Sequence, residues 1–165
     1  MQASETLTAL AEVSVAFAGF SGIVTAFRRR SPGEWSDLDR FRFRFMVEFS
    51  LATLLLSLLP LILAEMGLAE PRAWSVASFL LGAGALAYLT RSILWLRRLA
   101  AANAPVSRAL AVVGIGVGIA VSAAGLANAA GLFAHPSGVY LAGVGGCLFV
   151  SSAMFARLLL ATSPD

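Results

Sequence analysis

Three kinds of side chain are scarce in this sequence of 165 residues, which has one histidine, one cysteine and no lysine. Zinc, haem and di-iron sites take several ligands at set spacings, and neither His135 nor Cys147 has a second such ligand near it. The sequence therefore predicts no metal and no cofactor within one subunit. A single cysteine also cannot form an internal disulfide.

Charged residues are scarce as well. They make up 13% of the chain, against 59% hydrophobic residues, whereas a soluble domain carries about 25% charged residues. This excludes a soluble domain, and no connection is long enough to hold a second folded unit. We expect a single membrane domain over 1–165. The net charge of +3 does not indicate nucleic acid, because the arginines flank apolar stretches and lipid phosphates suit them as partners.

Catalytic motifs are missing. No GxSxG, P-loop or Rossmann spacing occurs, and the GxGxG at Gly114–Gly118 lies inside an apolar stretch with no strand before it. The serines of the apolar stretches have no base near them in sequence, and serine in a membrane helix commonly bonds a carbonyl of its own helix. We expect a protein that is not an enzyme.

The dominant pattern is a series of five apolar stretches, each long enough to cross a hydrocarbon core about 30 Å thick at about 1.5 Å per helical residue. They are Leu7–Phe27, Phe45–Ala64, Trp74–Leu96, Ala109–Phe133 and Val139–Ala161. The sequence thus predicts an all-α integral membrane protein, a bundle of five transmembrane helices.

The arginines fall almost entirely on one side of these spans. Only Arg72 lies on the other side. The eleven that share a side are Arg28, Arg29, Arg30, Arg40, Arg42, Arg44, Arg91, Arg97, Arg98, Arg108 and Arg157. Because basic residues stay on the cytoplasmic side, the N-terminus is predicted outside and the C-terminus in the cytoplasm, in the inner (plasma) membrane.

The connection between the first two spans predicts a short cytoplasmic helix at the membrane surface. Ser31 and Glu34 match a capping box, with Pro32 at the first helical position. Arginine and tryptophan suit the lipid headgroups, and the residues predicted to contact them are Arg28, Arg29, Arg30, Trp35, Arg40, Arg42 and Arg44. The alternation of Phe and Arg over 41–45 is also typical of a strand, but the chain offers no partner strand.

The spans differ in the size of their side chains. Small residues recur every four positions in the first, fourth and fifth spans. The residues are Ser14, Ala18, Gly22 and Ala26 in the first, Gly114, Gly118 and Ser122 in the fourth, and Gly138, Ala142 and Gly146 in the fifth. Such patterns let helices approach closely in lipid. The second span is rich in leucine. We expect the first, fourth and fifth helices to pack tightly and the second to be peripheral.

Ionisable residues at membrane depth are costly and are therefore functional candidates. Glu12 lies five residues inside the first span and Asn128 five residues before the end of the fourth, which predicts a similar depth. Pro60 removes a helix hydrogen bond near that level. Together these groups predict an ion or proton site formed by Glu12 and Asn128. The alternative is that Glu12 is protonated, or bonds a serine such as Ser14 or Ser122, and serves packing alone.

Glu48 and Arg91 form a second candidate pair. Each lies within about 5–8 Å of the predicted cytoplasmic boundary, on consecutive spans. Because consecutive helices are usually neighbours, we predict a structural ion pair between them.

Two classes of function fit this pattern. In the first class, the protein forms a homo-oligomeric pore or small transporter for cations or protons, with the first helix around the pathway and Glu12 near its outer mouth. Alternatively, it is a non-catalytic accessory or assembly subunit of a larger membrane complex. The predicted partners are the lipid bilayer and either further copies of the chain or other membrane subunits.

Overall fold

The computed structural model describes residues 2–28, 37–101 and 108–160, and all regular structure in these ranges is α-helix. Five helices are formed by the described residues. They are α1 Gln2–Arg28, α2 Asp37–Glu65, α3 Glu70–Ala101, α4 Arg108–Ala129 and α5 Pro136–Leu160.

Four of these helices are long and apolar enough to cross a membrane. The segments, found among the described residues, are Phe43–Glu65, Glu70–Arg98, Ala111–Ala129 and Pro136–Ala156. They confirm the prediction of a helical membrane protein that passes the bilayer several times. Helix α1 has 27 residues, about 40 Å at the helical rise, and its role as a fifth span stays a prediction.

The second helix starts earlier than the second predicted span. Helix α2 begins at Asp37, eight residues before the predicted start at Phe45, and continues through Pro60 to Glu65 without a break. The described end of the connection is therefore helical and continuous with the span. The predicted capping box at Ser31–Glu34 lies outside the described residues, and the position of this segment at the membrane surface stays a prediction.

Two helices end at a glycine in the left-handed conformation. Gly67 follows α2 with a φ of 83°, and Gly131 follows α4 with a φ of 76°. After α4, the Gly131 N–H donates to the Asn128 carbonyl at 3.0 Å and the Leu132 N–H to the Ala127 carbonyl at 3.1 Å. These are the two hydrogen bonds of a Schellman motif. They explain why α4 ends at Ala129, four residues before the predicted end at Phe133.

The chain divides into two compact units. Unit 1 comprises Met1–Leu58 and Cys147–Asp165, and unit 2 comprises Leu59–Gly146. Unit 1 thus contains α1, most of α2 and the second half of α5, whereas unit 2 contains α3, α4 and the first half of α5.

Helices α3 and α4 of unit 2 meet backbone to backbone at a pair of glycines. A Cβ on Gly82 would lie 2.7 Å from the Leu126 backbone nitrogen, and one on Gly125 would lie 2.8 Å from the Gly82 Cα. The two backbones therefore touch, as small residues permit in membrane helices. Helix α3 is not among the helices predicted to pack tightly, although α4 is.

The first half of α5 also packs closely in unit 2. A Cβ on Gly143 would lie 2.7 Å from Leu81 Cδ2, and one on Gly146 would lie 3.3 Å from Val121 Cγ2. These contacts agree with the expectation of small-residue packing for the fourth and fifth helices. Gly114 and Gly138 belong to the same predicted patterns, but a Cβ added at either would meet nothing within 4 Å.

Unit 1 has a polar interior. Most of its fully buried side chains carry hydroxyl groups, and these are Ser14 of α1, Ser50, Thr53 and Ser57 of α2, and Ser151 of α5. The leucines Leu51, Leu55 and Leu58 of α2 are exposed on the helix surface, as expected for a helix in lipid. The opposite face of the same helix is buried.

Candidate functional site

Glu12 lies on the exposed side of α1. The buried side of this helix carries Leu7, Ala11 and Ser14, and Glu12 points away from it. No hydrogen bond or ion pair to Glu12 is found among the described residues. The side chain is thus not part of the packed interior of its own chain.

Glu12 belongs to a row of exposed residues along α1. Their spacing alternates between four and three positions, which keeps them on one line of a helix. We call this line the Glu12 row, and it consists of Glu5, Ala9, Glu12, Ala16, Gly19 and Ile23, all exposed. Apart from the two carboxylates and Ile23 its members are small, and a Cβ on Gly19 would meet nothing within 4 Å.

The serines proposed as partners for Glu12 use their hydroxyls within their own helices. Ser14 Oγ donates to the Leu10 carbonyl at 2.7 Å, and Ser122 Oγ donates to the Gly118 carbonyl at 2.7 Å. Membrane serines commonly make this bond. Ser14 also lies on the buried face, so the small-residue pattern that includes it runs along a different side of α1 from the Glu12 row.

Asn128 is buried at the end of α4, with 3% of its surface exposed. Its Nδ2 donates to Ser78 Oγ of α3 at 2.8 Å and to the Pro136 carbonyl at the start of α5 at 2.8 Å. The amide therefore ties three helices of unit 2 together. Its Oδ1 is buried and has no hydrogen-bond partner in the described part of the chain.

Aromatic side chains lie one helical turn from the partners of Asn128. Trp74, four residues before Ser78, meets Tyr140, four residues after Pro136, edge to face at a centroid distance of 5.7 Å. Trp74 Nε1 donates to Glu70 Oε1 at 3.3 Å. This end of unit 2 thus combines aromatic rings with buried polar groups.

Glu48 and Arg91 each have a contact on their own helix. Arg44 Nε donates to Glu48 Oε1 at 2.7 Å, one turn along α2. The Arg91 guanidinium lies 5.6 Å from the centre of the Tyr88 ring on α3. The ion pair between Glu48 and Arg91 stays a prediction.

The residues predicted at the lipid interface are only partly described. Arg40 and Arg44 are exposed at the start of α2, a position compatible with lipid phosphates. Arg29, Arg30 and Trp35 lie outside the described residues, as do the side chains of Arg28 and Arg42.

A row of buried hydroxyls on α2 does not figure among the sequence-based predictions. Ser50, Thr53 and Ser57 are all fully buried, and their spacing of three and four residues places them on one face. Ser50 and Thr53 donate to the carbonyls four residues before them. The Oγ of Ser57 is buried without a hydrogen-bond partner among the described residues. The spacing is visible in the sequence, but the many leucines around it indicate a helix surrounded by lipid.

The described residues contain no group of three or more His, Cys, Asp or Glu side chains that could hold a metal ion. No family model, curated protein or solved structure matches this chain.

Proposed function

We propose that this protein forms a homo-oligomeric pore or small transporter for cations or protons in the bacterial-type inner membrane. The observation that carries the proposal is the position of Glu12, which lies exposed on a helix of membrane-spanning length without a partner among the described residues. The Glu12 row faces a pathway formed between copies of the chain.

The cost of a carboxyl group in lipid supports this arrangement. Insertion scales place a central Asp at about 2.5–3.5 kcal/mol, and less for positions off the centre. Ionisable residues in membrane helices accordingly face other helices or water. Since no described residue of its own chain forms a hydrogen bond or ion pair with Glu12, another copy of the chain or a water-filled pathway is the environment that lowers this cost.

The size of the chain favours a pathway between copies. Five helices leave little room for an enclosed channel in one subunit, so the axis of an oligomer is the natural position for it. Around such an axis, Glu12 forms a ring of carboxylates that attracts cations, with the Glu5 ring about 10 Å nearer the N-terminus. The small residues Ala16 and Gly19 continue the row and leave space at the axis.

The orientation is part of the proposal. The excess of arginine on one side favours an outside N-terminus and a cytoplasmic C-terminus. Glu12 then lies near the outer mouth, and Arg28–Arg30 at the inner end. Asn128 is the second candidate for the ion or proton site, because its Oδ1 is a buried acceptor with no described partner.

Flux measurements in liposomes test the role of Glu12. Glu12→Gln keeps the size of the side chain and removes its charge, so we expect it to lower cation or proton flux at least about tenfold. Glu12→Asp keeps the charge and should retain part of the flux. Glu65→Gln is the matched control, since it removes an exposed carboxylate at the end of α2, outside the row, and should leave flux unchanged.

Two results would contradict the pore. One is the absence of any flux through the reconstituted wild-type protein, and the other is wild-type flux in a folded, assembled Glu12→Gln variant. Circular dichroism and the mass of the detergent-solubilised protein establish folding and assembly for each variant.

A second candidate function is that of an accessory subunit in a larger membrane complex. It is favoured by a row of small exposed residues on α4, namely Gly116, Ala120 and Ala123, because such rows are typical of helix docking surfaces. Purification in mild detergent separates the two functions. A defined homo-oligomer supports the pore, whereas other subunits that co-purify in fixed ratio support the accessory role.

A further inference from the structure

The side-chain amide of Asn128 has unused hydrogen-bonding capacity inside unit 2. An asparagine amide has two N–H donors and one carbonyl oxygen with two lone pairs. Both donors are occupied, by Ser78 Oγ and the Pro136 carbonyl. The carbonyl oxygen Oδ1 accepts nothing within the described part of the chain, although it is buried. The carbonyl of Pro136 can only accept, and this identifies the atom facing it as Nδ2.

Ser78 has the complementary capacity. Its side chain is fully buried, and the only hydrogen bond of its Oγ among the described residues is the one it accepts from Asn128. The hydroxyl proton of Ser78 therefore has no described acceptor. Seven other serines and threonines in these helices donate to the carbonyl four residues before them, Ser14, Ser50 and Ser122 among them.

The two unused groups are close together. Oδ1 and Nδ2 of Asn128 are bonded to the same carbon, and Ser78 Oγ lies 2.8 Å from Nδ2. A single bridging atom can therefore form a hydrogen bond of about 2.8 Å with Ser78 Oγ and another with Asn128 Oδ1 at the same time.

We infer that Asn128 and Ser78 bind one water molecule, which donates to Asn128 Oδ1 and accepts from the Ser78 hydroxyl. Buried polar groups without protein partners are normally satisfied in this way. The chemistry favours water over a cation, because a cation binds Oδ1 but has no lone pair for the Ser78 proton. A water here completes a polar junction of α3, α4 and α5.

The position of the site lets water reach it from the end of the helix. Asn128 is the second-last residue of α4, and the residues that follow the helix, Ala130–His135, are exposed. In the predicted topology this end faces outward. The inference assigns water rather than a cation to Asn128, which leaves Glu12 as the cation site of the proposed function, and it rests on that function only for the orientation.

A crystal structure from a lipidic mesophase, at a resolution that shows ordered water, tests the site. We expect a density peak within hydrogen-bond distance of both Asn128 Oδ1 and Ser78 Oγ. In Ser78→Ala the water loses one of its two partners, so we expect its peak to weaken or vanish. Ser75→Ala is the matched control, because Ser75 Oγ donates to the Ala129 carbonyl at 2.6 Å, and its crystals should keep the peak.

The wild-type crystal decides the proposal even if Ser78→Ala does not fold. An absent peak, or a Ser78 hydroxyl bonded to another protein group, overturns the inference. An anomalous peak at the site after a rubidium or thallium soak also overturns it, since that result assigns the site to a cation. These outcomes are independent of flux, so the water site and the pore can fail separately.

Discussion

The hydroxyl oxygens of Ser50 and Ser151 lie 2.9 Å apart in the interior of unit 1, on helices α2 and α5. The Met46 carbonyl completes a triangle, 2.9 Å from Ser50 Oγ and 3.1 Å from Ser151 Oγ. Three oxygen–oxygen contacts share only two hydroxyl protons, so one contact lacks a hydrogen at any moment. Either hydroxyl can bond the carbonyl or the other hydroxyl, and the link between the helices survives both arrangements.

We predict that Ser50 and Ser151 are energetically coupled. Ser50→Ala and Ser151→Ala should each lower the free energy of unfolding by about 0.5–1.5 kcal/mol, the range of side-chain hydrogen bonds between membrane helices. The double variant should lose less than the sum, because the first change already breaks the shared contact. Unfolding by sodium dodecyl sulfate, followed by circular dichroism, measures these energies. Ser152→Ala is the control, since the hydrogen bond that Ser152 Oγ makes among the described residues is to the Leu148 carbonyl of its own helix. Strict additivity would contradict the coupling.

The contact of α3 with α4 predicts a sharp difference between glycines. Gly125→Ala places a methyl group 2.8 Å from backbone atoms of Gly82, so the helices must separate, and we expect a loss of stability of about 1–3 kcal/mol. Gly116→Ala on the same helix meets nothing within 4 Å and should be neutral or stabilising, because alanine is the better helix former. The same unfolding assay compares them, and equal effects would show that the glycine contact is absent in the membrane.

The predicted topology has a direct test in reporter fusions. Fusions after Phe27, Gly67, Ala102, His135 and the C-terminus should report inside, outside, inside, outside and inside in turn, because the arginines hold their connections in the cytoplasm. Paired reporters that are active on opposite sides of the membrane provide the control at every position. A cytoplasmic N-terminus would contradict the scheme and leave four spans, those of α2 to α5.

Two double-mutant cycles compare the pairing of Glu48 with Arg44 and with Arg91. The contact with Arg44 is largely exposed at Arg44, with 67% of that side chain accessible, and pairs of this kind contribute about 0.3–0.5 kcal/mol. If Glu48 also pairs with Arg91 near the predicted cytoplasmic boundary, loss of one partner leaves an uncompensated charge and the coupling is larger. We expect the coupling energy between Glu48→Gln and Arg91→Gln to exceed that between Glu48→Gln and Arg44→Gln. Additive effects of Glu48→Gln and Arg91→Gln would exclude the pair.

Much of the fold follows from local properties of the sequence. Apolar length predicts the positions of the helices, and Gly67 and Gly131 mark the ends of α2 and α4, because left-handed backbone favours glycine. Hydropathy nevertheless predicts the α4 end at Phe133, since it does not register a change in backbone conformation.

Contacts between helices are harder to predict. Gly82 carries no distinct signal, and the visible spacing of Ser50, Thr53 and Ser57 does not show that they are buried. The face that a membrane helix buries depends on its neighbours as well as on its own sequence. The candidate site shows the same limit. Depth singles out Glu12 and Asn128, whereas the exposure of the first and the three-helix hydrogen bonding of the second emerge only from the structure.

The Schellman endings at Gly67 and Gly131 also bear on how the chain enters the membrane. Each turn satisfies the last carbonyls of its helix with backbone N–H groups, so little of its polar backbone is left to be solvated separately. In the predicted topology these turns are the segments that must be carried across the bilayer during synthesis. Each turn can therefore cross with the carbonyls at its helix end already hydrogen-bonded, while the arginine-rich connections remain on the cytoplasmic side.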